Sequence, residues 1–193
     1  STTYIIMSRR TNWFKDEQGL RWFVYRQGMR VPAQVGRRVL VQEGVTEVET
    51  YAFESSEEGT HELLGSVKIA KSVYRIGIGA FFLCDSLEIL EIPQDSRLQV
   101  IGDSAFHWCE SLRGNLIFPA SLTTIGDQAF LDCSSLTNVG IQPGCSQLTT
   151  LGEKCFCRCS SLKVVDLSSC TLLKDIEARS FNDCKSLQVV LLP

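Results

Sequence analysis

Histidine is nearly missing from this sequence: His61 and His107 are the only two in 193 residues. Standing far apart, they give no Ser/His/Asp constellation a base to work with. No G-x-S-x-G, P-loop, helix-opening G-x-G-x-x-G or H-E-x-x-H occurs. Acidic residues are numerous, but no pair of them is singled out. These absences argue against an enzyme and against a cofactor. No apolar run approaches the ~20 residues that span a bilayer, so no membrane insertion is expected. Tyr4-Ile5-Ile6-Met7 is too short for a signal-peptide core. Ser1 in place of Met suggests a fragment or processed chain whose targeting segment is out of view, which leaves cell surface and cytoplasm both open. A dense basic face is lacking too. Residues 1–42 hold 8 Lys/Arg and 2 Asp/Glu, a charge of +6, and the remainder holds 11 and 20, a charge of −9. Neither is a nucleic-acid footprint.

What the sequence has is a repeat. Ile125-Gly126-Asp127-Gln128-Ala129-Phe130, followed by Cys133 and Leu136, is matched by segments beginning at Ile76, Ile101, Leu151 and Ile176. The starts are 25, 24, 26 and 25 residues apart, a period that signals a solenoid. Each repeat has two parts. One is a strand with alternating apolar residues: Val67/Ile69, Leu90/Ile92, Leu116/Phe118, Val139/Ile141, Val165/Leu167 and Val190/Leu192. Period two places each pair on one face. The other is a return segment carrying the Ile, the Ala-Phe and the Cys. No unit can bury its own face, so stacking must supply the missing wall, and the strands are expected to align in parallel into one curved sheet.

Upstream, Trp13-Phe14 and Leu20 to Tyr25 flank a polar Lys15-Asp16-Glu17-Gln18-Gly19 loop and read as a β-hairpin. Val45, Val48 and Ala52-Phe53 match Leu122, Ile125 and Ala129-Phe130, so a degenerate repeat begins near Val39. Leu63-Leu64-Gly65 aligns with Leu112-Arg113-Gly114. The expected organisation is a capping segment over 1–38 and about six repeats over 39–193, the first degenerate and the last truncated.

Three columns run through the repeats. Phe53, Phe81, Phe106, Phe130, Phe156 and Phe181 form an aromatic spine of the core. Small residues precede them: Ala52, Ala80, Ala105, Ala129, Cys155 and Ser180. Cys84, Cys109, Cys133, Cys159 and Cys184 share one position, where a buried thiol acts as a small hydrophobe and weak donor able to cap a backbone carbonyl. Parallel side chains pointing the same way suit disulfides poorly. Cys155, Cys157 and Cys159 amount to half a metal site at best, and no metal is expected; Cys157 is the cysteine expected to be most exposed. Cys145 and Cys170 should be neighbours in adjacent turns, either as a disulfide or as two unrelated small residues.

The consensus Ile-Gly-x-x-Ala-Phe-x-x-Cys-x-Ser-Leu followed by Leu-x-Ile-Pro resembles the BspA-type (Treponema-like) class of leucine-rich repeats over about residues 39–193. Tyr25-Arg26-Gln27-Gly28-Met29-Arg30-Val31-Pro32 resembles the lead-in to such repeats in algal sequences. The resemblance implies a curved right-handed solenoid with a parallel β-sheet on its concave face and short turns or 3-10 segments on the return side. It also implies a role in interaction or surface adhesion.

On that fold, the strand positions between the core residues face outward. Lys68, Ile89, Glu91, Asn115, Ile117, Asn138, Val164, Asp166 and Val189 form a mixed stripe with an apolar component, the kind of surface that marks a binding site. The expected function is a non-enzymatic module binding a protein partner through the concave face. The alternative is a structural or adhesive stalk segment of a longer cell-surface protein. His107-Trp108 should lie on the return side. Leu191-Leu192-Pro193 follows a strand pattern with no cap after it, so self-association through the last repeat is a further expectation.

Overall fold

The computed structural model describes residues 12–29, 31–32, 36–55, 63–144 and 146–193. Fifteen strands and no helix occur among them. β1 (Trp13–Lys15) and β2 (Arg21–Tyr25) form the expected antiparallel hairpin. Seven longer strands follow at one position of successive turns: β3 (Arg38–Val41), β5 (Ser66–Lys68), β7 (Ile89–Glu91), β9 (Gly114–Phe118), β11 (Leu136–Ile141), β13 (Val164–Asp166) and β15 (Val189–Leu191). Between them lie six two-residue strands: β4 (Glu47–Val48), β6 (Arg75–Ile76), β8 (Val100–Ile101), β10 (Thr124–Ile125), β12 (Thr150–Leu151) and β14 (Asp175–Ile176).

The short strands build a sheet of their own, parallel throughout, in the order β14-β12-β10-β8-β6-β4. The return segment is therefore partly β-structure as well as turns. From β4 to β12 the second residue of each short strand, Val48, Ile76, Ile101, Ile125 and Leu151, is buried and the residue before it half-buried. Val139, Val165 and Val67 from the long strands meet them from the other side in one continuous core. Turn stacks on turn through backbone hydrogen bonds as well: Phe81 N–H donates to Ala105 O at 2.8 Å and Phe106 N–H to Ala129 O at 2.8 Å.

The aromatic spine is a stack of nearly parallel rings. Phe53, Phe81, Phe106 and Phe130 lie 5.1 Å apart, centroid to centroid, with planes within 9°. Phe156 follows at 5.2 Å and Phe181 at 5.8 Å. Offset stacking of this kind adds about 0.5–1.5 kcal/mol per pair beyond burial. Glycine appears beside it for lack of room. A Cβ on Gly126 would stand 2.7 Å from Asp103 N, and one on Gly152 2.5 Å from Asp127 N. Turns this close admit no side chain.

The cysteine column behaves as the chemistry suggests. Cys84 Sγ donates to Phe53 O at 3.0 Å, and Cys109, Cys133 and Cys159 donate to Phe81, Phe106 and Phe130 O at 3.2 Å. Cys184 repeats this on Phe156 O at 3.0 Å. Each of these carbonyls from Phe81 onward also accepts an N–H from its own turn, as Phe81 O does from Cys84. Both of its lone pairs are thus used. All five are free thiols.

The long strands do not make one sheet. β1-β2-β3-β5-β7 form the first and β9-β11-β13-β15 the second, and β7 is not paired with β9. One inserted residue stands at the break. Leu64 to Val67, Leu87 to Leu90, Leu136 to Val139 and Leu162 to Val165 each span three positions, whereas Leu112 to Leu116 spans four. The extra residue is Gly114, which takes a left-handed backbone with φ +89°, a region that glycine enters without steric cost. The β11 ladder shifts register opposite it, between Leu136 and Asn138. The core residue matching Leu112 is accordingly Leu64, which is buried, and not Leu63, which is exposed.

Candidate partner-binding face

The nine stripe residues stand where period two places them, on the outward side of β5 through β15. Most are exposed; Lys68, Asn138, Val164 and Asp166 are half-buried. Ile117 is 38% exposed and leans over the empty side-chain position of Gly140, where a Cβ would come within 3.2 Å of its Cδ1. Asn138 Nδ2 donates to Asn115 Oδ1, one rung of an amide ladder between adjacent turns. Asp166 Oδ1 accepts from Ser168 N at 3.0 Å and Ser168 Oγ at 2.6 Å. These bonds, the hydroxyl's first, hold its carboxyl below the usual range.

The fold gathers part of the stripe against the hairpin. Lys68 Nζ lies 4.9 Å from the Trp22 ring centroid and 3.1 Å from Glu91 Oε2. Trp22 Nε1 donates to Asp16 Oδ2 at 2.8 Å, and that bond leads in lowering the pKa of Asp16. Trp22 itself stacks on Phe14 at 6.3 Å. At the other end of the strands, Glu88 joins Arg37 at 3.2 Å and Arg113 at 2.5 Å, tying three turns. A groove of about 790 Å³ crosses this region. Lys68, Glu91, Asn115 and Ile117 line it, joined by Phe14, Val24, Leu40 and Leu90. A second groove of about 470 Å³ holds Ile89 with Trp22, Arg37 and Glu88. Asn138, Val164, Asp166 and Val189 continue the stripe beyond both grooves.

The sequence reading missed the hairpin's contribution. Trp22 and Val24 alternate with Phe23 and Tyr25 along β2, and that alternation puts the first pair on the outward face. The signal was present, but it was spent on the idea of a cap.

The return side carries a smaller aromatic group. Trp108 is 37% exposed, stacked on His107 at 4.4 Å and tilted against Phe82 at 5.7 Å. His107 is only 8% exposed, and neither ring nitrogen has a hydrogen-bond partner. Burial lowers its pKa, against a weaker upward pull from Asp132. Cys157 is buried rather than exposed, because Asn182 of the next turn packs over it; Arg158 N–H donates to Asn182 O at 2.8 Å. Among the described residues no group of three or more His, Cys, Asp or Glu could hold a metal ion. Cys170 is a buried free thiol accepting from Ser146 Oγ at 3.5 Å. Cys145 and His61 lie outside the described residues, as does most of the Glu54–Thr60 loop.

The repeat geometry has a match in a known family model. The BspA type leucine rich repeat region, in six copies, covers residues 46–188. The chain belongs to the BspA type leucine rich repeat family. Among solved structures it is similar to a leucine rich cell surface protein from Faecalibacterium prausnitzii, at 26% identity and a TM-score of 0.56. That match takes in 93% of this chain and 37% of the other. A leucine-rich repeat protein from Bacteroides ovatus is 23% identical with a TM-score of 0.53, over 100% of this chain and 52% of that one. A leucine rich repeat protein of T. pallidum is 24% identical over 86% of this chain and 88% of its own, with a TM-score of 0.48. The BspA type chain thus spans about a third to a half of the length of the first and second. No curated protein sequence matches it.

Proposed function

We propose that this BspA type repeat chain is a non-catalytic module that binds a protein partner on the outward face of its long strands. The observation carrying this reading is the surface from Trp22 through Lys68 and Glu91 to Ile117: apolar, grooved, and framed by fixed charges. Protein-binding patches combine aromatic anchors with a polar rim in this way. The cell-surface description of the Faecalibacterium protein favours a partner met outside the cell, and a stalk role would fit the same location. Ile117→Glu together with Val164→Glu should abolish capture of a partner while leaving the circular dichroism unchanged. Capture retained by that pair, with fold intact, would exclude the outward face.

A further inference from the structure

Leu90 is the one long-strand core residue between β3 and β13 that is only half-buried; Val39, Val67 and Val165 are fully buried and Val139 is 2% exposed. It lies at the break between β7 and β9. In a parallel ladder these inward residues use their backbone groups toward the next turn, and at Leu90 no ladder receives them. Where Ile69 N–H and Leu167 N–H donate to Glu91 O and Leu191 O, each at 2.9 Å, Ile117 O accepts from the Gln94 side chain instead, at 3.0 Å. Gln94 acts as a strut across an opening. The larger groove reaches into that opening, between Leu90, Ile92 and Leu116.

The same groove holds three cations, Arg26, Lys68 and Lys71, and two acids, Glu43 and Glu91; Glu43 accepts from Lys71 N–H at 3.0 Å. Of the cations lining it, Lys68 is paired with Glu91 and Lys71 with Asp95. Among the described residues the Arg26 guanidinium bonds only to neutral amide oxygens, those of Gln42 and Asn12. From β2 to the break there are three to four strand steps of ~4.8 Å, a span an extended chain covers in about four to six residues at ~3.3 Å each.

We propose that the break between β7 and β9 receives an extended segment of a partner protein, seating an apolar side chain between Leu90 and Leu116 and placing a carboxylate on Arg26. This rests on the outward face being the binding surface and specifies what it binds. The segment's sequence requirement follows: an apolar residue and an Asp or Glu about four to six positions apart. Gly114 stands at the slot, and deleting it restores the three-residue spacing of the other turns, which should let β9 pair with β7.

Random decapeptides displayed on phage and panned against the full chain test this. The expected result is enrichment of that acidic–apolar spacing. A synthetic peptide carrying it should bind about tenfold more weakly to Arg26→Gln and should not bind the Gly114 deletion at all. Arg26→Glu, with the fold checked by circular dichroism, should prefer a peptide with Lys in place of the acid. No enrichment, or binding indifferent to the Arg26 charge reversal, overturns the proposal. Peptides that ignore Arg26 and Gly114 but are lost on Val164→Glu would remove this slot and leave the broader reading of the face standing.

Discussion

The ring of Tyr25, at the end of the hairpin, is fully buried 5.3 Å from the ring of Phe53, the first member of the aromatic spine. Tyr25 accepts a hydrogen bond from Glu49 N–H through its hydroxyl at 3.3 Å, so the polar end is answered and the apolar body covers the stack. β2 then pairs in parallel with β3, and the hairpin continues the sheet as it covers the core. Phe130→Ala, in mid-stack, should cost ~3–5 kcal/mol. Tyr25→Ala should fall in the same range and lower the thermal midpoint far more than Glu91→Ala, whose ion pair is exposed. Deletion of residues 1–37 should cause aggregation. Equal midpoints for Phe130→Ala and Glu91→Ala would contradict the stacking.

The cysteine column should be chemically quiet. Burial pushes the thiols of Cys84, Cys109, Cys133 and Cys159 well up, while half-buried Cys184 is raised only to about 11. Alkylation of the native protein at pH 8 should therefore label Cys184 well before the other four, and trapping in denaturant should recover all five as thiols. The linkage has a definite sign. The folded pKa values lie above the ordinary thiol value, so the stability they contribute is present below about 9, where unfolded thiols begin to ionise, and is lost as pH rises further. Ladder thiols that react as fast as Cys184, or any disulfide among them, would contradict the hydrogen-bonded column.

His107 should make the fold acid-sensitive. Its folded pKa lies below the ordinary 6.5, so below that pH the unfolded chain takes up a proton that the folded chain refuses. Stability should fall as pH drops from 6.5 toward the folded value. His107→Leu removes two buried nitrogens without partners, each kind of group costing ~1–3 kcal/mol when unsatisfied. The variant should melt higher than the parent, with the gap widening from pH 7 to pH 5. A constant gap would mean the imidazole titrates as if exposed.

The repeat made most of this legible. Phe130, Ala129 and Cys133 recur at fixed spacing, and a residue type that recurs at one position has one environment in every turn. Where turns differ, the reading failed. Pairing Leu63 with Leu112 placed Gly65 opposite Gly114 and hid the insertion at the break in the sheet. Cys157 looked exposed because it lies outside the five-cysteine column. It belongs to another column, with Phe82, His107, Leu131 and Asn182, in which His107 and Cys157 are buried, Phe82 and Leu131 half-buried and Asn182 exposed. The hairpin's role on the outward face escaped because it depends on Lys68, forty-six residues from Trp22 in sequence and beside it in the fold.

Crosslinking from single positions distinguishes the two faces of the solenoid. A photoreactive residue in place of Ile117 or Asn115 looks outward from the long strands; one in place of Trp108 looks out from the return side. With a captured partner bound, covalent adducts should form from 117 and 115 and none from 108. Adducts from 108 alone would contradict this and move the binding surface to the other side of the solenoid.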